Sequence, residues 1–153
     1  MASKTFATND VLSAADMNLF GLDPQSSDVT TEQSTTSSSY TDLSTVGPSV
    51  TLSVNNGQKL LVFLSAYALS TTADVDFYAS FVATGGVVVS ASDTNAAKFR
   101  ESSVGSSLRP RHTMMTLVTA TSTGSTTFTM KYRSNGTANV TFGGRRIIVL
   151  PKF

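Results

Sequence analysis

The sequence predicts an all-β chain, a β-sandwich or jelly roll, led by one short N-terminal helix. Three observations carry that expectation. In "TFTMKYR" the apolar residues Phe128, Met130 and Tyr132 alternate with Thr and Lys, the period of a half-buried strand. From Tyr40 to the last residue, short apolar runs are broken at regular intervals by Gly, Asn and Pro, which gives about eight to ten strands. After the opening segment no stretch carries a helical period, and alternating strands without helices build two packed sheets.

The helix is expected in "NDVLSAADMNLFG". Ser13 suits the N-cap, and Asp16 three residues on reaches back as in a capping box. Leu12 and Met17 can pack as a hydrophobic staple. Gly21 stops the helix, and Asp23-Pro24 keeps it stopped. Two turns of helix are marginal alone. Leu12, Met17, Leu19, Phe20 and Leu22 would need an apolar partner, either another protein or the chain's own β-domain. Residues 1–25 are therefore expected as a docking segment, with Leu12, Ser13, Asp16, Met17 and Phe20 as its anchoring residues. Residues 26–39, "SSDVTTEQSTTSSS", are almost wholly polar and are expected as a linker. The β-domain is then 40–153.

Within it, "SVTLSVNNGQKLLVFLSAYAL" predicts two strands about a tight Asn55-Asn56-Gly57 turn, with Val50, Leu52 and Val54 on one face. "VDFYASFVATGGVVVSAS" predicts a second pair about Gly85-Gly86. The remainder predicts four strands, broken at Gly124, Asn135-Gly136 and Gly143-Gly144. The last, "RRIIVLPKF", holds the continuous apolar run Ile147–Leu150. Such a run is expected in the middle of a sheet or beneath a neighbouring subunit.

Composition narrows the function classes. Only 14% of residues are charged, below the roughly 25% usual in soluble domains; Ser and Thr, at about 30% of the chain, fill the surface instead. Net charge is +1, which offers no electrostatic case for nucleic acid or an anionic membrane as partner. The absence of cysteine excludes disulfides and thiolate chemistry. The opening residues carry no secretory signal, and "KLLVFLSAYAL" is too short to cross a bilayer as a helix, so no membrane insertion is expected.

Candidate chemistry is sparse. His112 stands alone among histidines, so a histidine-rich metal site is excluded and no metal or cofactor is expected. A Ser-His-Asp triad would lack any GxSxG elbow. Asp74 and Asp76 in "TADVDFY" share one face of a strand, as a glycosidase pair or half a calcium site would; the plainer reading is two solvated carboxylates guarding a strand edge. "SDTN" (Ser92–Asn95) suits a calcium loop or an ordinary Asx turn. Arg109 and Arg111 in "RPR", and Arg145 and Arg146 in "GGRR", suit phosphate or acidic polysaccharide, or ion pairs between subunits. With His112 they are the candidate receptor or intersubunit contacts. "TGGVVV" lacks the Lys-Ser/Thr of a phosphate loop. The sequons at Asn135 and Asn139 carry little weight without a secretory signal.

Several stretches together resemble one family. "FATNDVLSAADMN" resembles the opening of many tailed-bacteriophage virion proteins, above all minor tail proteins of phages that infect actinobacteria. "YTDLSTVGPSVTLSVNNGQKLLVFLSAY" looks like the domain that follows there. "ASDTNAAKFRESS" and "TMKYRSNGTANVTFGGRRIIVLPKF" look like that domain's second half. The resemblance implies a non-enzymatic, exterior virion component assembled in the host cytoplasm. It implies a jelly roll of the tumour-necrosis-factor type forming a homotrimeric knob, held by its N-terminus to other virion proteins of the tail or capsid, with host-cell glycan as a ligand. The apolar positions of "KLLVFLSAYAL" and of the last strand, more than one sandwich face needs, point the same way. Two rivals stand beside the tail-adhesion reading. One is a capsid-decoration or head-fibre protein; the other is an envelope-polysaccharide-degrading enzyme working through Asp74 or Asp76.

Overall fold

The computed structural model describes residues 24–101, 109–136 and 138–152. They form nine strands: β1 (Gln25–Val29), β2 (Gln33–Thr35), β3 (Ser49–Val54), β4 (Lys59–Ser70), β5 (Val75–Gly85), β6 (Ala97–Glu101), β7 (Arg111–Thr119), β8 (Gly124–Ser134) and β9 (Val140–Lys152). A short 3₁₀ turn spans Asp93–Asn95. The expected helix and its anchoring residues Leu12, Ser13, Asp16, Met17 and Phe20 lie outside the described residues.

The strands form two antiparallel sheets. Sheet A runs β1-β9-β4-β7, with β2 also on β9, and sheet B runs β3-β8-β5-β6. Since β1 and β2 both lie along β9, they act as one interrupted edge strand. From there the chain passes to sheet B, back to A, twice through B, then to A, B and A. That wrapping of two facing sheets is a jelly roll.

Period-two patterning builds the core. Leu60, Val62, Leu64, Ala66 and Ala68 of β4 face Phe128, Met130 and Tyr132 of β8 within one buried cluster. At its centre Phe77 stacks on Phe99 with ring centroids 5.6 Å apart. Phe142 meets both edge-on, at 6.1 and 6.0 Å. Offset and edge-to-face pairs of this kind add to the burial of the rings themselves.

The structure corrects four expectations. The Ser/Thr stretch 26–39 is not a linker: its first part forms β1 and β2, paired on β9. A polar edge strand needs only backbone hydrogen bonds on one side, so it leaves no apolar signature; hydroxyl pairs such as Ser34–Thr141, 2.7 Å apart, supplement them. The β-domain therefore begins at Gln25 rather than Tyr40. Asn55-Asn56-Gly57 does turn the chain, with Gln58 N–H donating to Asn55 O at 2.9 Å and Gly57 at φ +80°. It joins strands of opposite sheets, however, because β3 pairs with β8 and β4 with β9 and β7. After Gly85 the chain makes a single bridge, Ala83 with Val89, instead of a second strand.

The fourth correction positions the site. Gly143-Gly144 is no turn but a β-bulge inside β9. Ser65 pairs with Arg146 and Tyr67 with Gly143, so Gly144 and Arg145 together oppose Ala66. Gly144 takes φ +53°, the left-handed region in which glycine is unstrained. The extra residue shifts the alternation by one, so Val140 and Phe142 before it and Ile147 and Val149 after it all face the core.

Candidate functional site

The outward face of sheet A carries the most distinctive surface. On β4 the residues opposite the core set are Leu61, Phe63, Ser65 and Tyr67. Register places Leu117 and Leu150 on either side of Leu61, and Met115 and Ile148 on either side of Phe63. Six large apolar side chains thus form two rows across three strands. Met115 and Leu117 remain 59% and 49% exposed. Leu61, Phe63, Ile148 and Leu150 are half-buried. The continuous run Ile147–Leu150 is therefore central in its sheet, as expected, but buried on one face only.

Beyond these rows the face turns polar. Asp28, Arg146, Ser65 and Thr113 make the next row, followed by Gly143, Tyr67 and Arg111. The bulge shapes this end. A Cβ on Gly143 would lie 2.5 Å from the Tyr67 ring, so only glycine lets the ring settle over β9. Tyr67 donates its hydroxyl hydrogen to Glu32 Oε1 at 2.8 Å, and Arg109 pairs with the same carboxylate. The Arg109 and Arg111 guanidiniums lie 5.5 and 5.9 Å from the Tyr67 ring centre. Arg111 Nη1 donates to Ser65 Oγ at 3.0 Å and to the bulge carbonyl of Gly144 at 2.7 Å. Beside it opens a cavity of about 280 Å³ lined by Asp28, Thr30, Ser65, Arg111, Gly144 and Arg146, among others.

The candidate residues thus divide. Arg109, Arg111 and Arg146 gather at this end of sheet A. Arg145 does not reach the surface: the bulge turns it inward, fully buried, over the Tyr132 ring at 5.4 Å. Its Nη1 donates to Gly47 O at 3.2 Å and Thr45 O at 3.4 Å, its Nη2 to Gln33 Oε1 at 2.9 Å and Thr31 O at 3.3 Å. Burial pushes the Tyr132 phenol well above its ordinary pKa, a rise that the Arg145 charge opposes. His112 turns away as well, its ring 4.7 Å from Phe99 and its Nδ1 2.8 Å from Lys98 O.

The carboxylates are paired elsewhere. Asp76 meets Lys98 at 2.7 Å and Arg100 at 3.5 Å, and Asp74 meets Arg100 at 3.3 Å. Asp93 of "SDTN" is gripped by Arg133 through Nε at 3.0 Å and Nη2 at 2.5 Å, and accepts from Tyr40 at 2.9 Å. Arg133's bonds hold the Asp93 carboxyl below its usual pKa. Burial, then the hydrogen bond to Asp93, raises the Tyr40 phenol. No group of three or more His, Cys, Asp or Glu suited to a metal occurs among the described residues. No helix among them is long and apolar enough to cross a membrane.

Sequence reasoning missed Asp28, Glu32, Ser65 and Tyr67 as members of this surface. Tyr67 was legible as an outward residue of an alternating strand; the others are ordinary polar residues that only register brings beside the arginines.

No family model matches the chain, and no curated protein does. Among solved structures it is similar to the insecticidal delta-endotoxin Cry8Ea1 of Bacillus thuringiensis, at 22% identity and TM-score 0.41, covering 78% of this chain and 19% of that one. It is also similar to dimeric latent PorU of Porphyromonas gingivalis, at 13% identity and TM-score 0.42, covering 84% of this chain and 13% of that one. The chain thus spans less than a fifth of either protein, and likenesses this distant leave its function to its own surface chemistry.

Proposed function

We propose that the chain is a non-catalytic exterior component of a tailed-bacteriophage virion, a minor tail protein with a host-adhesion role. Its jelly roll assembles as a homotrimer through the apolar rows of sheet A. Residues 1–25 dock it to a neighbouring virion protein through Leu12, Ser13, Asp16, Met17 and Phe20. The observation that carries this reading is the double row Leu117–Leu61–Leu150 and Met115–Phe63–Ile148. Contiguous exposed apolar surface on a sheet face marks an interaction site, and six large side chains across three strands form one continuous patch. A closed symmetric oligomer covers such a patch without leaving a template for open-ended association. Weak contacts to a host surface are then multiplied by copy number. The pairing of Asp74 and Asp76 with Lys98 and Arg100 favours this reading over a carboxylate-pair hydrolase.

Gold-labelled antibody against the purified chain, applied to particles of the phage that encodes it, tests the proposal. Label at the tail is the expected result. Label on the head favours the decoration reading, and unlabelled particles overturn the virion assignment.

A further inference from the structure

We propose that the cavity beside the β9 bulge is a subsite for the acidic group of a saccharide, with Arg111 and Arg146 as its anion-binding residues. The proposal rests on the host-attachment reading for the choice of a sugar as ligand. The anion chemistry stands on the geometry alone.

Arg111 is already immobilised. Its Nη1 is spent on Ser65 Oγ and on the Gly144 carbonyl, and its plane lies by the Tyr67 ring. Its remaining N–H groups have no acceptor among the described residues, so a ligand meets a donor edge whose ordering cost is already met by the fold. Arg146 stands opposite Ser65 on β9 and lines the same cavity as Arg111. Its only carboxylate partner among the described residues, Asp28, lies 3.8 Å away, beyond hydrogen-bond distance, and both side chains are half exposed. Directly behind, Arg145 is buried with neutral acceptors alone. Counting Arg109 and its partner Glu32 beside Tyr67, four arginines converge on this end of sheet A against two carboxylates, Glu32 and Asp28. Within a partly desolvated cleft that imbalance favours an anion.

The size and lining choose its kind. About 280 Å³ lies at the small end of ligand cavities and suits one sugar ring. Ser65, Thr30 and Asp28 supply hydroxyl and carboxylate partners for ring hydroxyls, and the arginines take a carboxylate or phosphate substituent.

The test is a nitrogen–proton correlation titration of the labelled full chain with sodium glucuronate, glucose 6-phosphate, glucose and inorganic phosphate. Expected are saturable shifts at Ser65, Gly144 and Arg146 with the two acidic sugars and none with glucose. Arg146→Gln and Arg111→Gln should each weaken glucuronate binding by about tenfold. Lys131→Gln, on the other sheet, should leave it unchanged, and dispersed spectra of each variant would show that it folds. Equal responses to glucose and glucuronate, or to phosphate and glucuronate, would overturn the acidic-saccharide assignment. So would silence to the acidic sugars up to roughly 50 mM, a concentration that still detects very weak sites. Failure here leaves the particle-labelling result standing, so the two proposals fail separately.

Discussion

Gly143→Ala isolates the close packing that shapes the bulge. Gly143 has no left-handed backbone angle, so the new methyl group brings no conformational strain. Its cost is steric: the added Cβ would sit 2.5 Å from the Tyr67 Cζ and hydroxyl oxygen. Ordinary carbon contacts need about 3.5 Å, so the ring must retreat by roughly 1 Å. That retreat breaks the 2.8 Å hydrogen bond to Glu32 and loosens the Arg109 and Arg111 contacts. A surface hydrogen bond contributes about 0.5–1.5 kcal/mol and an exposed cation–π contact about 0.5–1 kcal/mol. The expected loss is therefore about 1–2 kcal/mol. In a Tyr67→Ala background the obstruction is gone, and the same substitution should become neutral or gain about 0.4–1 kcal/mol by restricting the unfolded chain. Urea unfolding of the four proteins of this double-mutant cycle, at one fixed concentration, measures both signs. An equal effect of Gly143→Ala with and without the Tyr67 ring would show that the ring is not what the new methyl group meets.

Two further expectations concern buried and paired charge. Arg145→Met should destabilise the fold by about 2–4 kcal/mol in the same assay, because it removes the guanidinium donors to the carbonyls of Thr31 and Thr45, while Gly47 keeps its bond from the Tyr132 hydroxyl; a loss below about 0.5 kcal/mol would show that the Thr31 and Thr45 carbonyls find other partners. Asp93 has a depressed pKa in the folded state, so its contribution is present above the unfolded value of about 4 and is lost as pH falls from there through the folded value. Asp93→Asn should flatten the acid limb of the stability curve measured by urea unfolding between about pH 5 and 2, modestly, since the carboxylate is half exposed.

How much of this was legible follows from what each element asks of its residues. β4 and β8 bury one face, and their alternation announces them. β4 also keeps Leu61 and Phe63 on its outer face, so the surplus apolar surface could be read before any pairing was known. β1 and β2 escaped because an edge strand that packs lightly needs no apolar period, only free backbone groups beside β9. The bulge left a signal that turn chemistry masked: Val140 and Phe142 occupy even positions, whereas Ile147 and Val149 occupy odd ones. A change of phase within one apolar segment is what an inserted residue produces, and Gly143-Gly144 stands at the change. Arg145 and Arg146 are adjacent and chemically identical, so their opposite fates, one buried and one half exposed, depend on that phase alone. The partners of Asn55-Asn56-Gly57 were illegible for another reason. A tight turn fixes local geometry but does not decide whether the flanking strands pair with each other or with distant ones.

Sedimentation equilibrium of the full chain tests most directly the claim that the apolar face of sheet A joins copies of this protein. Expected is a species of three times the 16.1 kDa chain mass at micromolar concentration, reverting to one chain mass in a Met115→Glu/Leu117→Glu variant that keeps its β-sheet circular dichroism. A wild-type chain that sediments as a single 16.1 kDa monomer, or a variant that remains trimeric, would contradict it.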